Sequence, residues 1–169
     1  MVRWSTLGLV ALLAACAGDD ALAVRGDVSI AAPDGTATGL DFVQNTRLVD
    51  EDFAGADTNV IAGRCRIGRD ENGDEVISLS VSRPNAVAEG FQVRSFALQL
   101  PRAGGGELIA DLGGDTYRGS VGADCIANLE YVQRGDGLVG TNFNCGLRGA
   151  EGDARAQGEL FFEGCTNEN

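Results

Sequence analysis

Histidine and lysine are both absent from the chain, and tryptophan and methionine occur once each. Without histidine or lysine, nucleophilic catalysis lacks its usual bases, and no serine sits in a Gly-x-Ser-x-Gly elbow. A carboxylate pair can hydrolyse glycosides, but the aromatic platforms of sugar sites are scarce. Past Trp4 the large polar aromatics are only Tyr117 and Tyr131. Structural zinc has no histidine and no Cys-x-x-Cys pair to hold it. These absences argue against an enzyme, and no catalytic residue, metal ligand or cofactor is expected. Long apolar runs are missing too. The most apolar stretch, Leu7 to Leu13, is far short of the roughly twenty residues a membrane-spanning helix needs.

That stretch has a different use. Arg3 supplies one positive charge, the apolar segment follows, and small residues lead to Cys16 before Asp19 and Asp20. This is the order of a cleaved export signal. Leu13-Ala14-Ala15-Cys16 resembles the lipobox of bacterial lipoproteins. The resemblance implies that residues 1–15 are a signal peptide and that Cys16 is acylated on sulfur and becomes the new N-terminus. A thiolate is a chemically apt acceptor. Each buried methylene adds about 0.8 kcal/mol, so two or three acyl chains hold firmly where one does not. Acylated Cys16 would anchor the protein in a lipid bilayer of the cell envelope. In some Gram-negative lipoproteins an aspartate just after the lipidated cysteine retains the protein at the inner membrane; Ala17 and Gly18 come first here, so the resemblance implies the outer membrane, on its periplasmic or surface side.

Cysteine arithmetic agrees. Five cysteines in an exported chain leave one over, and setting Cys16 aside leaves Cys65, Cys125, Cys145 and Cys165 as an even set. An oxidising compartment makes two disulfides the expectation.

Loss of the signal leaves 12 basic residues, all arginine, against 25 acidic ones, a formal charge of −13. Such a surface repels phosphate backbones and anionic headgroups, so nucleic acid is not an expected partner. Residues 16–24 read as a lipidated tether and residues 25–169 as one β-rich domain.

Within that domain the patterns are those of strands. Ile77, Leu79 and Val81 alternate with Ser78, Ser80 and Ser82, the period of a half-buried strand. In Phe91 to Leu100 the apolar phase flips near Ser95, which predicts a β-bulge. Further strands are expected at Val28 to Ala32, Leu40 to Gln44, Val60 to Ile67, Glu107 to Leu112 and Tyr117 to Gly122. Only Arg83 to Gly90 has room for a helical turn or two. The fold class is all-β: a single antiparallel sandwich or small barrel with a C-terminal meander, stabilised by disulfides.

The meander is the most specific part. Strands Cys125 to Gln133 and Leu138 to Leu147 flank Arg134-Gly135-Asp136-Gly137, a hairpin signal. Cys125, Ala127, Leu129 and Tyr131 are expected on one face, opposite Phe143, Cys145 and Leu147. Facing both rows to one core favours a three-residue loop, with Cys125 opposite or diagonal to Cys145. A third strand, Gln157 to Cys165, returns beside the second. Cys145 then faces about residue 158, about 23 Å short of Cys165 at 3.3 Å per residue. Among the three connectivities this favours Cys125 with Cys145 and Cys65 with Cys165.

Two motifs have simpler structural readings. Asp70 to Val81 begins like a calcium loop but has Glu75 where a glycine is needed and Val81 where a bidentate glutamate is needed. An Asn-Gly hairpin turn fits better. Arg25-Gly26-Asp27 and Arg134-Gly135-Asp136 resemble integrin-binding tripeptides, the second at an expected exposed tip, but polar turns are the simpler reading.

The functional expectation is therefore a membrane-anchored lipoprotein with a non-enzymatic interaction module, whose partners are envelope or extracellular proteins met through exposed sheet edges. The alternative is a binding protein for a small apolar or cationic ligand, which requires an enclosed pocket or acidic cleft.

Overall fold

A computed structural model describes residues 21–32, 34–50, 60–85 and 92–168. The segment read as a signal peptide, Cys16 and residues 86–90 of the helical stretch expected from Arg83 to Gly90 lie outside the described residues.

Among the described residues, eleven strands form one curled sheet: β1 Ala23–Ala31, β2 Ala37–Arg47, β3 Ala62–Arg69, β4 Glu75–Ser82, β5 Val93–Pro101, β6 Glu107–Leu112, β7 Asp115–Ser120, β8 Cys125–Gln133, β9 Leu138–Gly149, β10 Gly152–Glu163 and β11 Thr166–Asn167. Their order is β11-β3-β4-β5-β6-β7-β9-β10-β1-β2, with β8 branching off β9. Neighbours are antiparallel apart from β11 on β3. The sheet rolls into a half-barrel. Past β2, Val49 bridges to Ala62 of β3 and so brings the two ends of the sheet together.

The roll follows from alternation. Away from the bulges the longer strands send alternate side chains inward, and that set is almost wholly apolar: Val28 and Ile30, Ile77 with Leu79 and Val81, Leu98 and Leu100, Leu160 and Phe162. Phe96 and Phe143 meet across the interior with ring centroids 4.9 Å apart. Thr141 is the one buried polar side chain among the described residues, and its hydroxyl donates to the Asn128 carbonyl at 3.0 Å. The serines of β4 face outward and are half-buried.

Both cysteine pairs stand at bonding distance, Cys65 with Cys165 and Cys125 with Cys145. Cys125 lies directly opposite Cys145. Cys145 faces Ala156, nine residues short of Cys165. The phase change in β5 is a bulge between Val93 and Ser95, which puts Arg94 and Ser95 outward in succession.

Several boundaries move. β1 starts at Ala23, inside the stretch read as tether, because Val24 is fully buried in the core. β10 starts at Gly152 rather than Gln157, because Gly149 already pairs with Gly152 across a tight turn. The calcium-like segment is the β3–β4 turn. There the Asp70 carboxylate accepts from the amides of Asn72 and Asp74, each at 2.9 Å, and Arg69 stands opposite Glu75 in the β3–β4 register.

Candidate functional site

The hairpin of β8 and β9 departs from expectation in an informative way. Its loop has four residues, Arg134 to Gly137, not three. An even loop cannot keep both cysteine-bearing faces on the core along an unbroken ladder. The chain resolves the conflict with a bulge. Leu129 pairs with Thr141, Tyr131 pairs with Gly140, and Glu130 is the extra residue. Cys125, Ala127 and Leu129 therefore face inward as expected, but Tyr131 does not. Glu130 and Tyr131 both point outward, and Tyr131 is 42 % exposed.

On the outer face Tyr131 joins a ladder. Tyr131, Gly140, Phe161 and Arg25 are successive cross-strand partners on β8, β9, β10 and β1. Gly140 has no side chain, so the rings on either side lean together over it, 6.2 Å between centroids and stacked within 24°. The Arg25 guanidinium caps Phe161 at 4.2 Å.

β8 has one strand neighbour among the described residues, and its other edge is open. The backbone geometry identifies which groups it offers. Gly146 donates to the Asp124 carbonyl on the β9 side, whereas Gly122 donates to the Cys125 carbonyl on the opposite side. Alternation then turns the amide and carbonyl of Ala127 and Leu129 toward the open edge. That edge borders a groove of about 470 Å³, with Ala127, Leu129 and Tyr131 on one wall and Leu100, Pro101 and Arg102 on the other.

The hairpin tip beyond the groove is held. Arg134 reaches Glu75 at the start of β4, with Nε 2.9 Å from Oε2, and Arg102 reaches the other carboxylate oxygen at 3.1 Å. The Arg134 guanidinium, donating to Glu75, is the main cause that holds this carboxyl below the ordinary carboxylate value. Asn167 donates to the Arg134 carbonyl at 2.7 Å, and the Cys165 amide donates to Gly137 at 2.8 Å. In the second Arg-Gly-Asp the tip is exposed at Gly135 and Asp136 as expected, but its arginine is held by Glu75. The first lies inside β1, with Arg25 on Phe161 and Gly26 packed against β10.

Other carboxylates serve the fold in the same manner. Asp111 accepts from the Gly114 amide, Asp124 pairs with Arg148, and Glu107 pairs with Arg118. Burial pushes the Tyr117 hydroxyl up, with Asp115 and Glu151 adding to it. Among the described residues, no three cysteine or acidic side chains gather so as to hold a metal ion. The depressions beside the strands, including those on the outer faces of β3 to β6, are open clefts.

Residue periodicity brought the cysteines to their places and missed the open edge with its Glu130–Tyr131 step. The signal was the four-residue length of Arg134-Gly135-Asp136-Gly137, whose parity demands a bulge. Set against known families, curated proteins and solved structures, the chain matches none of them.

Proposed function

We propose that this protein is a lipid-anchored component of a bacterial cell envelope, tethered through acylated Cys16, whose β domain recruits another envelope or extracellular polypeptide by accepting a strand on the open edge of β8. It is not an enzyme in this reading. The observation that carries it is that edge, with the backbone of Ala127 and Leu129 turned to a groove and no strand beside it among the described residues. Main-chain hydrogen bonds to such an edge give affinity, and pockets for alternate side chains give specificity.

The interior supports a surface mode of binding over an enclosed ligand, since apolar side chains from both walls meet across it. Two disulfides suit export to an oxidising compartment. The anchor rests on the order of charge, apolar run, small residues and cysteine.

The test is intact-mass analysis and membrane fractionation of the full chain and its Cys16→Ser variant in a bacterial host. Wild type should begin at Cys16, carry acyl mass and sediment with membranes, and the variant should do none of these. A mature chain that starts elsewhere or lacks acyl mass would remove the anchor.

A further inference from the structure

We infer that the strand accepted by β8 carries an arginine, which seats on the outer face between Glu130 and the ring of Tyr131. This rests on the strand-addition reading above and names the chemistry of its partner.

The bulge is what builds the receptor. In a regular strand Glu130 and Tyr131 would face opposite sides, but here both face outward at the rim of the groove. Bulges of this kind re-aim side chains next to functional sites. The Arg25, Phe161 and Tyr131 ladder runs across the strands and ends at the open edge, so the next position in it belongs to the added strand. At its far end the ladder is closed by a guanidinium 4.2 Å from the Phe161 centroid. A second guanidinium on Tyr131 would close the near end with the same cation–π geometry.

Glu130 supplies the complementary charge. Its carboxylate is at the surface and accepts at Oε1 from the side-chain amide of Asn142 on β9, which leaves Oε2 for an incoming donor. A planar guanidinium can stack on a ring and pair with a carboxylate together, whereas lysine is a point charge. The chain's formal charge of −12 attracts a basic partner and opposes pairing between two copies of itself. No proline or basic residue on β8 blocks the edge.

The experiment measures binding of the full-length protein, by fluorescence anisotropy, to three labelled strand peptides, Thr-Val-Xaa-Val-Thr-Val, with Xaa as arginine, lysine or leucine. The arginine peptide should bind tightest. Tyr131→Ala and Glu130→Gln should each weaken it about two- to fivefold and leave the leucine peptide unchanged, while Tyr131→Phe should keep full affinity. Ala127→Pro removes an amide that faces the groove and not β9, so it should abolish binding of all three. Equal binding of arginine and leucine peptides, lost together in Ala127→Pro, would overturn the arginine receptor and leave strand addition standing. Binding of none of them, or binding indifferent to Ala127→Pro, would overturn both. A dimer that Ala127→Pro renders monomeric would make the occupant a second copy and also overturn the inference.

Discussion

The carboxylate of Glu75, at the first residue of β4, is shared between Arg102 just past the end of β5 and Arg134 at the tip of the β8–β9 hairpin, fifty-nine positions away in sequence. Its side chain is 12 % exposed. This contact ties the hairpin tip to the start of β4, and Glu75 and Arg102 both line the groove beside β8.

The clamp makes stability depend on acid pH. Arg134 lowers the folded-state value of Glu75 beneath its ordinary 4.5. Between the two values the unfolded chain binds more protons, so stability rises with pH there. The contribution is full above about 4.5 and is lost as pH falls through the lower folded value. Glu75→Gln should cost about 1 kcal/mol at pH 7. Urea unfolding of both proteins across the acid range checks it, with the gap between them closing toward low pH.

The two disulfides should differ in worth. Cys65 and Cys165 close a loop of 100 positions, and Cys125 and Cys145 one of 20. Chain entropy then assigns about 4.7 kcal/mol to the first and about 3.3 kcal/mol to the second. Replacing each pair by serine and comparing denaturant midpoints should rank them in that order. The first also fastens the C-terminal segment to β3, next to the parallel pairing of β11.

Gly26 should tolerate no side chain. It sits at φ +115° in the irregular stretch of the β1–β2 pairing, and a Cβ would run into the backbone carbonyl of Glu159. Gly26→Ala should destabilise by about 2 to 4 kcal/mol, combining left-handed strain with the clash. Gly35→Ala is the control. It also has positive φ, yet nothing lies within 4 Å of its Cβ, so it should cost only about 1 kcal/mol. Thermal melts of the two variants separate strain from contact, and they locate the reason for Arg25-Gly26-Asp27 in the sheet.

Much of this fold was legible because alternation is a local property. Ser78, Ser80 and Ser82 against Ile77, Leu79 and Val81 require only that one face be wet, and the sheet obliges. The cysteine pairing was legible because a hairpin and a returning strand leave few distances open. What stayed hidden depends on contacts distant in sequence. Nothing near Arg134 announces that Glu75 will claim it, and nothing near Tyr131 announces Phe161 or Arg25. The outward face of Tyr131 has a nearer cause. Core-facing alternation cannot run unbroken through a hairpin with a four-residue turn.

Deleting Glu130 tests that account of the bulge. Leu129 already pairs with Thr141 and Tyr131 with Gly140, so removing the one residue between them restores a regular ladder without shifting any partner or the turn. Tyr131 stays outward, Val132 stays opposite Val139, and Cys125 stays opposite Cys145. Stability should therefore change by no more than about 1 kcal/mol, an unusual tolerance for a deletion inside a strand. Deleting Gly135 instead would alter the turn, disturbing the contacts of Arg134 and Gly137 with Glu75 and Cys165, and should cost more. The first deletion carries a second consequence. A bulge blunts an open edge by twisting it out of line, and without Glu130 the free side of β8 becomes a longer and flatter template. Light scattering over a concentration series should show self-association in that variant at concentrations where the wild type is monomeric. If it aggregates no more than wild type, the bulge does not limit edge pairing.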